Sequence, residues 1–232
     1  MNSNQDPVIV AVDGPAGSGK SSICETVARK LRFTYVNTGA IYRAIGYLAA
    51  RDSLKPDDVD GLRSVIASFV REGRWDPGTG QIFFRSELLN SKLYSEEAGL
   101  WASNIARLES VREDLLPVQR GWALAADTGA LLDGRDIGTV VFPDARVKIF
   151  LTASLEQRAK RRQLQLQTSN PSDPLPDLDR LIAELRKRDL QDSQRKIAPL
   201  AQAKDAVVLD TSDLTVEQSI DKMQDIIKGR LK

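Results

Sequence analysis

The sequence predicts an α/β fold: a five-stranded parallel sheet flanked by helices, with a small antiparallel insert. Three observations predict it. Short β-branched or apolar runs, such as Val8-Ile9-Val10-Ala11-Val12 and Val147-Lys148-Ile149-Phe150-Leu151, alternate with stretches of helical periodicity. Strands joined through helices imply parallel pairing with crossover connections. One region, Trp75 to Leu89, breaks that alternation with turn residues and a β pattern, the mark of a hairpin insert.

The elements follow in order. After the first strand a glycine-rich turn runs from Gly14 to Gly19. A helix is expected over Lys20–Leu31, with Ile23, Val27, Ala28 and Leu31 on one face. Tyr35-Val36 is a second short strand. Helices are expected over Thr38–Ala50, with Ile41, Ile45 and Leu48 inward, and over Asp57–Glu72, where Val59, Leu62, Val65, Ile66 and Phe69 form the stripe. Trp75-Asp76-Pro77-Gly78-Thr79-Gly80 reads as a turn, and Gln81 to Leu89 as β structure. Ser95 to Ala126 is helical with a break near Leu108-Glu109. Ala130-Leu131-Leu132-Asp133 is a buried strand. Ser154-Leu155-Glu156-Gln157 is a capping box that opens a helix. Thr168 to Asp179 holds Pro171, Pro174 and Pro176 and reads as a loop; a charged helix follows from Leu178 to about Arg195. Ala206 to Asp210 is the last strand, and Thr215-Val216-Glu217-Gln218 caps a terminal helix.

Composition narrows the chemistry. Among 232 residues there is no histidine and one cysteine, Cys24. A Ser-His-Asp or Cys-His relay therefore lacks its base, a His/Cys zinc site lacks ligands, and no disulfide forms within the chain. Catalysis falls to carboxylates, Lys, Arg, hydroxyls, backbone amides or a borrowed metal ion. Cys24 reads as a small buried filler, and Trp75, Trp101 and Trp122 as packing residues. The formal charge of +1 argues against a general nucleic-acid coat. The balance is uneven, however: Arg146 to Lys196 holds twelve basic and seven acidic residues. That surplus suits a local anionic ligand, or a solvated basic face. No apolar stretch approaches the ~20 residues of a membrane span. The polar start, Met1 to Pro7, lacks the basic region of a signal peptide, so a cytoplasmic protein is expected.

Gly14-Pro15-Ala16-Gly17-Ser18-Gly19-Lys20-Ser21 matches G-x-x-x-x-G-K-[ST], and Ser22 follows it. Glycines let successive N–H groups converge on one anion, and the following helix adds its positive end. Lys20 brings a full charge to the β- and γ-phosphates, and Ser21 a hydroxyl for Mg²⁺. Asp13, beside the loop, either helps to hold the waters of Mg²⁺ or caps the turn. No Asn-Lys-x-Asp guanine signature is present, which argues against a regulatory GTPase. Phosphoryl transfer relies on positioning and charge neutralisation, so it suits a chain without histidine.

Four segments carry a family resemblance: Gly14 to Ser22, Thr38-Gly39-Ala40-Ile41-Tyr42-Arg43, the run Asp133-Gly134-Arg135-Asp136-Ile137-Gly138-Thr139-Val140-Val141-Phe142-Pro143-Asp144-Ala145, and Arg188 through Ala198-Pro199-Leu200. Together they resemble the bacterial cytidylate kinases, nucleoside monophosphate kinases of the P-loop class, over about Val8 to Ile227. The resemblance implies transfer of the ATP γ-phosphate to CMP or dCMP with Mg²⁺. It implies one P-loop kinase domain over 1–232, with an acceptor lobe over 57–108 and a helical lid over 158–195. It implies that Arg43, Arg135 and Arg195 grip the acceptor phosphate, with Thr38 and Tyr42 in the same motif as Arg43. Ser103, Arg112 and Asp136 match positions that read cytosine, and Arg188 and Asp192 match positions near the sugar. Arg158 and Arg162 sit where a lid would bring cations to the transferred phosphoryl group. The expected partners are small molecules alone, with no nucleic acid or membrane, and the protein is expected to be a monomer.

The residue chemistry agrees with such roles. A carboxylate at Asp136 can accept from the cytosine amino group, and Arg112 can donate to the acceptor edge. Arg gives bidentate contacts to phosphate. Departures from the family pattern are Leu93-Tyr94-Ser95, where an arginine is common, Asn37, where Asp often stands, Ser21-Ser22 in place of Gly-Thr, and a longer Pro-rich stretch from Asn170 to Pro176. Two other readings compete: a kinase of another small metabolite, such as a shikimate or dephospho-coenzyme-A kinase relative, and a nucleotide-dependent binding module without turnover.

Overall fold

The computed structural model describes residues 6–169 and 174–231. The first five residues and the middle of the Pro-rich stretch, with Pro171, lie outside the described residues. The five-stranded parallel sheet expected from the sequence is present, in the order β2-β6-β1-β7-β8. Its strands are β1 (Val8–Asp13), β2 (Thr34–Asn37), β6 (Gly129–Gly134), β7 (Val147–Thr152) and β8 (Val207–Asp210). The chain divides into two compact units. One comprises Arg32–Leu132 with the described residues up to Val8; the other comprises Ile9–Leu31 and the residues from Asp133 onward.

In the first unit, α2 (Thr38–Arg51) begins where Asn37 Oδ1 accepts the N–H of Ala40 at 3.1 Å. α3 (Val59–Glu72) starts two residues later than its periodicity suggests, because Asp58 serves as the cap and accepts from Gly61 N–H at 2.9 Å. The insert is a three-stranded antiparallel sheet of β3 (Gly73–Asp76), β4 (Gln81–Phe84) and β5 (Glu87–Leu88). Trp75 and Asp76 are therefore strand, not turn: they pair with Ile82 and Gln81. The turn proper is Pro77–Gly80, tied by Asp76 Oδ1, which accepts from the N–H groups of Gly78 and Thr79. A short helical turn, α4 (Asn90–Leu93), precedes α5 (Glu96–Ile105) and α6 (Glu109–Leu124), with the expected break between the last two.

An apolar core unites these helices with the insert. It includes Ile41, Ile45, Leu48, Leu62, Phe69 and Ile82. Trp75 and Trp122 stack with ring centroids 4.9 Å apart, and Trp101 packs against the same core. All three tryptophans thus act in packing. Gly46 lets α2 and α5 approach closely: a Cβ there would lie 2.6 Å from the Trp101 Cβ.

In the second unit, β1 pairs with β7 (Val10 with Val147, Val12 with Ile149), and β7 pairs with β8 (Leu151 with Leu209). α1 (Lys20–Leu31) buries Ile23, Cys24, Val27 and Ala28. α7 (Leu155–Ser169) and α8 (Leu178–Gln194) flank the Pro-rich stretch, so Thr168 and Ser169 belong to a helix rather than to the loop. At α7 the capping box forms by half. Ser154 Oγ accepts from Gln157 N–H at 3.3 Å, but the N–H of Ser154 donates to Ser212 Oγ instead of to Gln157. At α9 (Val216–Leu231) the box is complete: Gln218 N–H donates to Thr215 Oγ1, and Thr215 N–H donates to Gln218 Oε1. Between β6 and β7 lies one π-helical turn, Ile137–Val141, which periodicity does not reveal. Among the described residues no helix is long and apolar enough to cross a membrane.

Candidate active site

The site begins at the end of β1. Gly14 must be glycine because a Cβ would fall 2.0 Å from the Leu151 carbonyl oxygen, and Gly19 holds φ +87°. The loop folds around Lys20. Its ammonium donates to the carbonyls of Gly14 (2.8 Å) and Pro15 (2.7 Å) and to Ser18 Oγ (3.3 Å). Burial pushes the Lys20 pKa down to about 7, with the charge of Arg135 acting in the same direction. A bound polyphosphate would favour the charged form again.

Ser21 Oγ donates to Asp133 Oδ2 at 2.8 Å. These are hard oxygen donors, and Mg²⁺ needs only one or two from a protein when phosphates and waters supply the rest. The pair therefore fits that ion. The sequence pattern alone does not assign Asp133 this role. The signal was there: a fully apolar strand, Ala130-Leu131-Leu132, ends on a carboxylate.

α7 supplies three arginines with three different fates. Arg158 is buried; its Nη1 donates to the Ala16 carbonyl at 3.0 Å and pairs with Asp189 at 2.7 Å. Arg161 donates to the Ser18 carbonyl at 3.1 Å and to Thr211 Oγ1 and O at 3.0 and 2.6 Å. Both thus hold carbonyls of the glycine loop, which leaves its N–H groups to face an anion. In sequence nothing separates Arg161 from Arg158 and Arg162; only its contacts distinguish it. Arg162 donates to Gln165 one turn on, at 3.0 Å.

The second unit also gathers several of the residues expected to meet the acceptor. Arg135 Nε lies 2.8 Å from Asp192 Oδ2, and Arg195 Nη2 lies 3.5 Å from Asp136 Oδ1. Burial works to raise the Asp192 carboxyl, but Arg135, with Arg188 and Arg195, outweighs it and holds the group below its ordinary value. Arg195 also donates to the carbonyl of Ala198, a residue held at φ +47°.

The first unit holds the others. Thr38 is buried at the start of α2. Arg112 on α6 donates to the Ala106 carbonyl at 3.2 Å and lies 5.7 Å over the Tyr42 ring. Arg43 donates to the Leu93 carbonyl at 2.8 Å, beside the segment that departs from the family pattern. Ser103 sits half-buried on α5.

A glycine loop between a buried central strand and a helix, with a lysine and a hydroxyl–carboxylate pair at its end, defines a P-loop phosphotransferase. The family model for cytidylate kinase matches residues 10–229. The cytidylate kinase of Citrifermentans bemidjiense is 42% identical over 231 residues, covering 98% of this chain and 95% of that one. That of Thermotoga neapolitana is 40% identical over 223 residues, covering 96% and 98%. A bifunctional pantoate ligase/cytidylate kinase of Synechococcus is 40% identical over 218 residues, which span 93% of this chain and 39% of that longer protein. The chain belongs to the cytidylate kinase family.

Proposed function

We propose that this protein transfers the γ-phosphoryl group of ATP to CMP or dCMP, yielding ADP and CDP or dCDP. The observation that carries the reading is the arrangement around Asp133: its carboxylate takes the P-loop serine hydroxyl, and the same strand end leads directly into Arg135 and Asp136. The phosphate grip and the base-reading carboxylate thus follow Asp133 by two and three residues.

An oxygen of the acceptor phosphate attacks the γ-phosphorus as the bond to the β,γ-bridging oxygen breaks, and ADP leaves. That phosphate is already ionised near neutral pH, so no protein base is required. Gly14 to Ser22 bind the ATP phosphates, with Lys20 at the transferred group. Ser21 and Asp133 would hold Mg²⁺, which when bound neutralises phosphate charge and orients the reacting oxygens. Arg43, Arg135 and Arg195 grip the acceptor phosphate, and Thr38 and Tyr42, in the same motif as Arg43, also serve the acceptor. Arg188 and Asp192 meet the sugar. Ser103, Arg112 and Asp136 read cytosine, since a carboxylate accepts from an amino group but repels the O4 carbonyl of uracil. Arg158 and Arg162 bring charge from the lid region, 158–195, and 57–108 serve as the acceptor lobe. The same reading has the protein working as a cytoplasmic monomer on small molecules alone.

The test is ADP formation with CMP, dCMP, UMP, AMP and shikimate in parallel. Turnover with CMP and dCMP well above the rest is expected. Activity with shikimate alone would point to a metabolite kinase; ATP binding without turnover would point to a binding module.

A further inference from the structure

Asp13 sits immediately before Gly14, yet its carboxylate serves a different segment. It is 4% exposed, and both oxygens are committed: Oδ1 accepts from Ile137 N–H at 2.7 Å and Oδ2 from Gly138 N–H at 2.8 Å. Those are the first two donors of the π-helical turn. The first N–H groups of any helical turn have no partner within it and need one from outside. The residue placed to supply that partner is Asp136, which occupies the cap position and is of a type strongly favoured there. Asp136 makes no side-chain cap hydrogen bond; its carboxylate lies toward Arg195. The turn is otherwise closed by the Asp136 carbonyl, which accepts from Val140 and Val141 N–H at 2.9 and 3.1 Å. Gly138 lies against Lys148, whose side chain would meet a Cβ there at 3.2 Å.

We propose that Asp13 is a positioning residue: by capping the Ile137–Val141 turn from the end of β1, it releases the Asp136 carboxylate from its own turn to read the acceptor base. This rests on the function proposed above. Without the Asp13 carboxylate, the two N–H groups would draw Asp136 back as their cap. The residue nearest the ATP loop in sequence would then act on acceptor choice.

The experiment compares wild type, Asp13→Ala and Asp13→Asn for KM of ATP, KM of CMP and the CMP-to-UMP ratio of kcat/KM, together with a crystal structure of each variant. The expected result is a CMP KM raised about tenfold and a CMP-to-UMP preference reduced by a similar factor. The ATP KM should stay within about twofold. Asp136→Ala should cost less preference in the Asp13→Ala background than in the wild type, because the two substitutions remove parts of one function. The Asn variant keeps the shape and one acceptor, so it reports even where Ala fails to fold. An ATP KM that rises as much as the CMP KM, or a lowered Tm with unchanged preference, would overturn the proposal. If the wild type does not phosphorylate CMP, the functional reading fails by itself. The variant structures then decide the capping: Asp136 bonded to the N–H groups of its own turn supports the proposal, and Asp136 unmoved overturns it.

Discussion

The two units bury different things. The first closes over aliphatic and aromatic side chains, with the Trp75–Trp122 stack and Phe69 among them. The second buries Asp13, Lys20, Asp133, Asp136 and Arg158; among the described residues Arg112 is the one charged side chain buried to that degree in the first. A buried charge is costly unless it is paired and hydrogen-bonded. Apolar packing carries stability, whereas a network of buried charge marks where the protein holds groups ready for a charged ligand. The difference yields variants whose effects should separate cleanly.

Lys20→Met should have the largest effect. The substitution keeps length and removes the charge, so kcat should fall by about 10²–10³, the scale of losing one preorganised donor at a transition state. Its Tm near pH 7 should hold or rise, because a buried ammonium has been removed. A lowered Tm with intact turnover would reverse the contrast between the units. Trp122→Ala tests the other side. Loss of the stack and its core contacts should cost about 3 kcal/mol of stability, visible in urea unfolding. The folded fraction should retain its ATP KM.

Asp136→Ala should reduce the preference for CMP over UMP by about tenfold to a hundredfold, the worth of one good base contact. Retention of full preference would remove Asp136 from the base-reading role. Arg195→Ala is expected to raise KM for CMP and UMP alike by about tenfold or more, since the proposed function assigns it to the phosphate rather than the base. A change confined to one nucleotide would reassign it. Arg43→Ala should behave in the same way.

What the sequence made legible follows the same division between local and distant contacts. The P-loop is eight contiguous residues whose chemistry is set by their own backbone, so the pattern suffices. The capping box at Thr215 formed as read because both partners lie within one turn. The box at Ser154 formed only by half, since Ser212, nearly sixty residues away, supplies the competing acceptor. Trp75 and Asp76 carry turn chemistry, yet pairing with Ile82 and Gln81 makes them strand. Arg158, Arg161 and Arg162 are alike in sequence and separate only through what each touches. From the sequence Asp13 serves Mg²⁺ waters or its own loop, but both of its oxygens cap a turn more than a hundred residues on. No local pattern encodes that choice.

The smallest expected effects are in pH dependence, where Asp13 and Lys20 act with opposite sign. Burial raises the Asp13 pKa from its ordinary 3.8 to about 6, against the N–H groups of Gly138 and Ile137. The folded state therefore binds that proton more tightly. Its stabilising contribution is full below 3.8 and is lost as pH rises through about 6. Lys20 has its folded pKa lowered from 10.5 to about 7. Its unfavourable contribution is greatest below about 7 and fades as pH climbs toward 10.5. Measured by urea unfolding, wild type should lose ground to Asp13→Asn between about pH 4 and 6, and gain on Lys20→Met between about pH 7 and 10. A flat difference in the second window would mean that Lys20 keeps its proton throughout, held by the carbonyls of Gly14 and Pro15. The cost of the buried charge would then be met by the loop itself, and ATP binding near pH 8 would take up no proton.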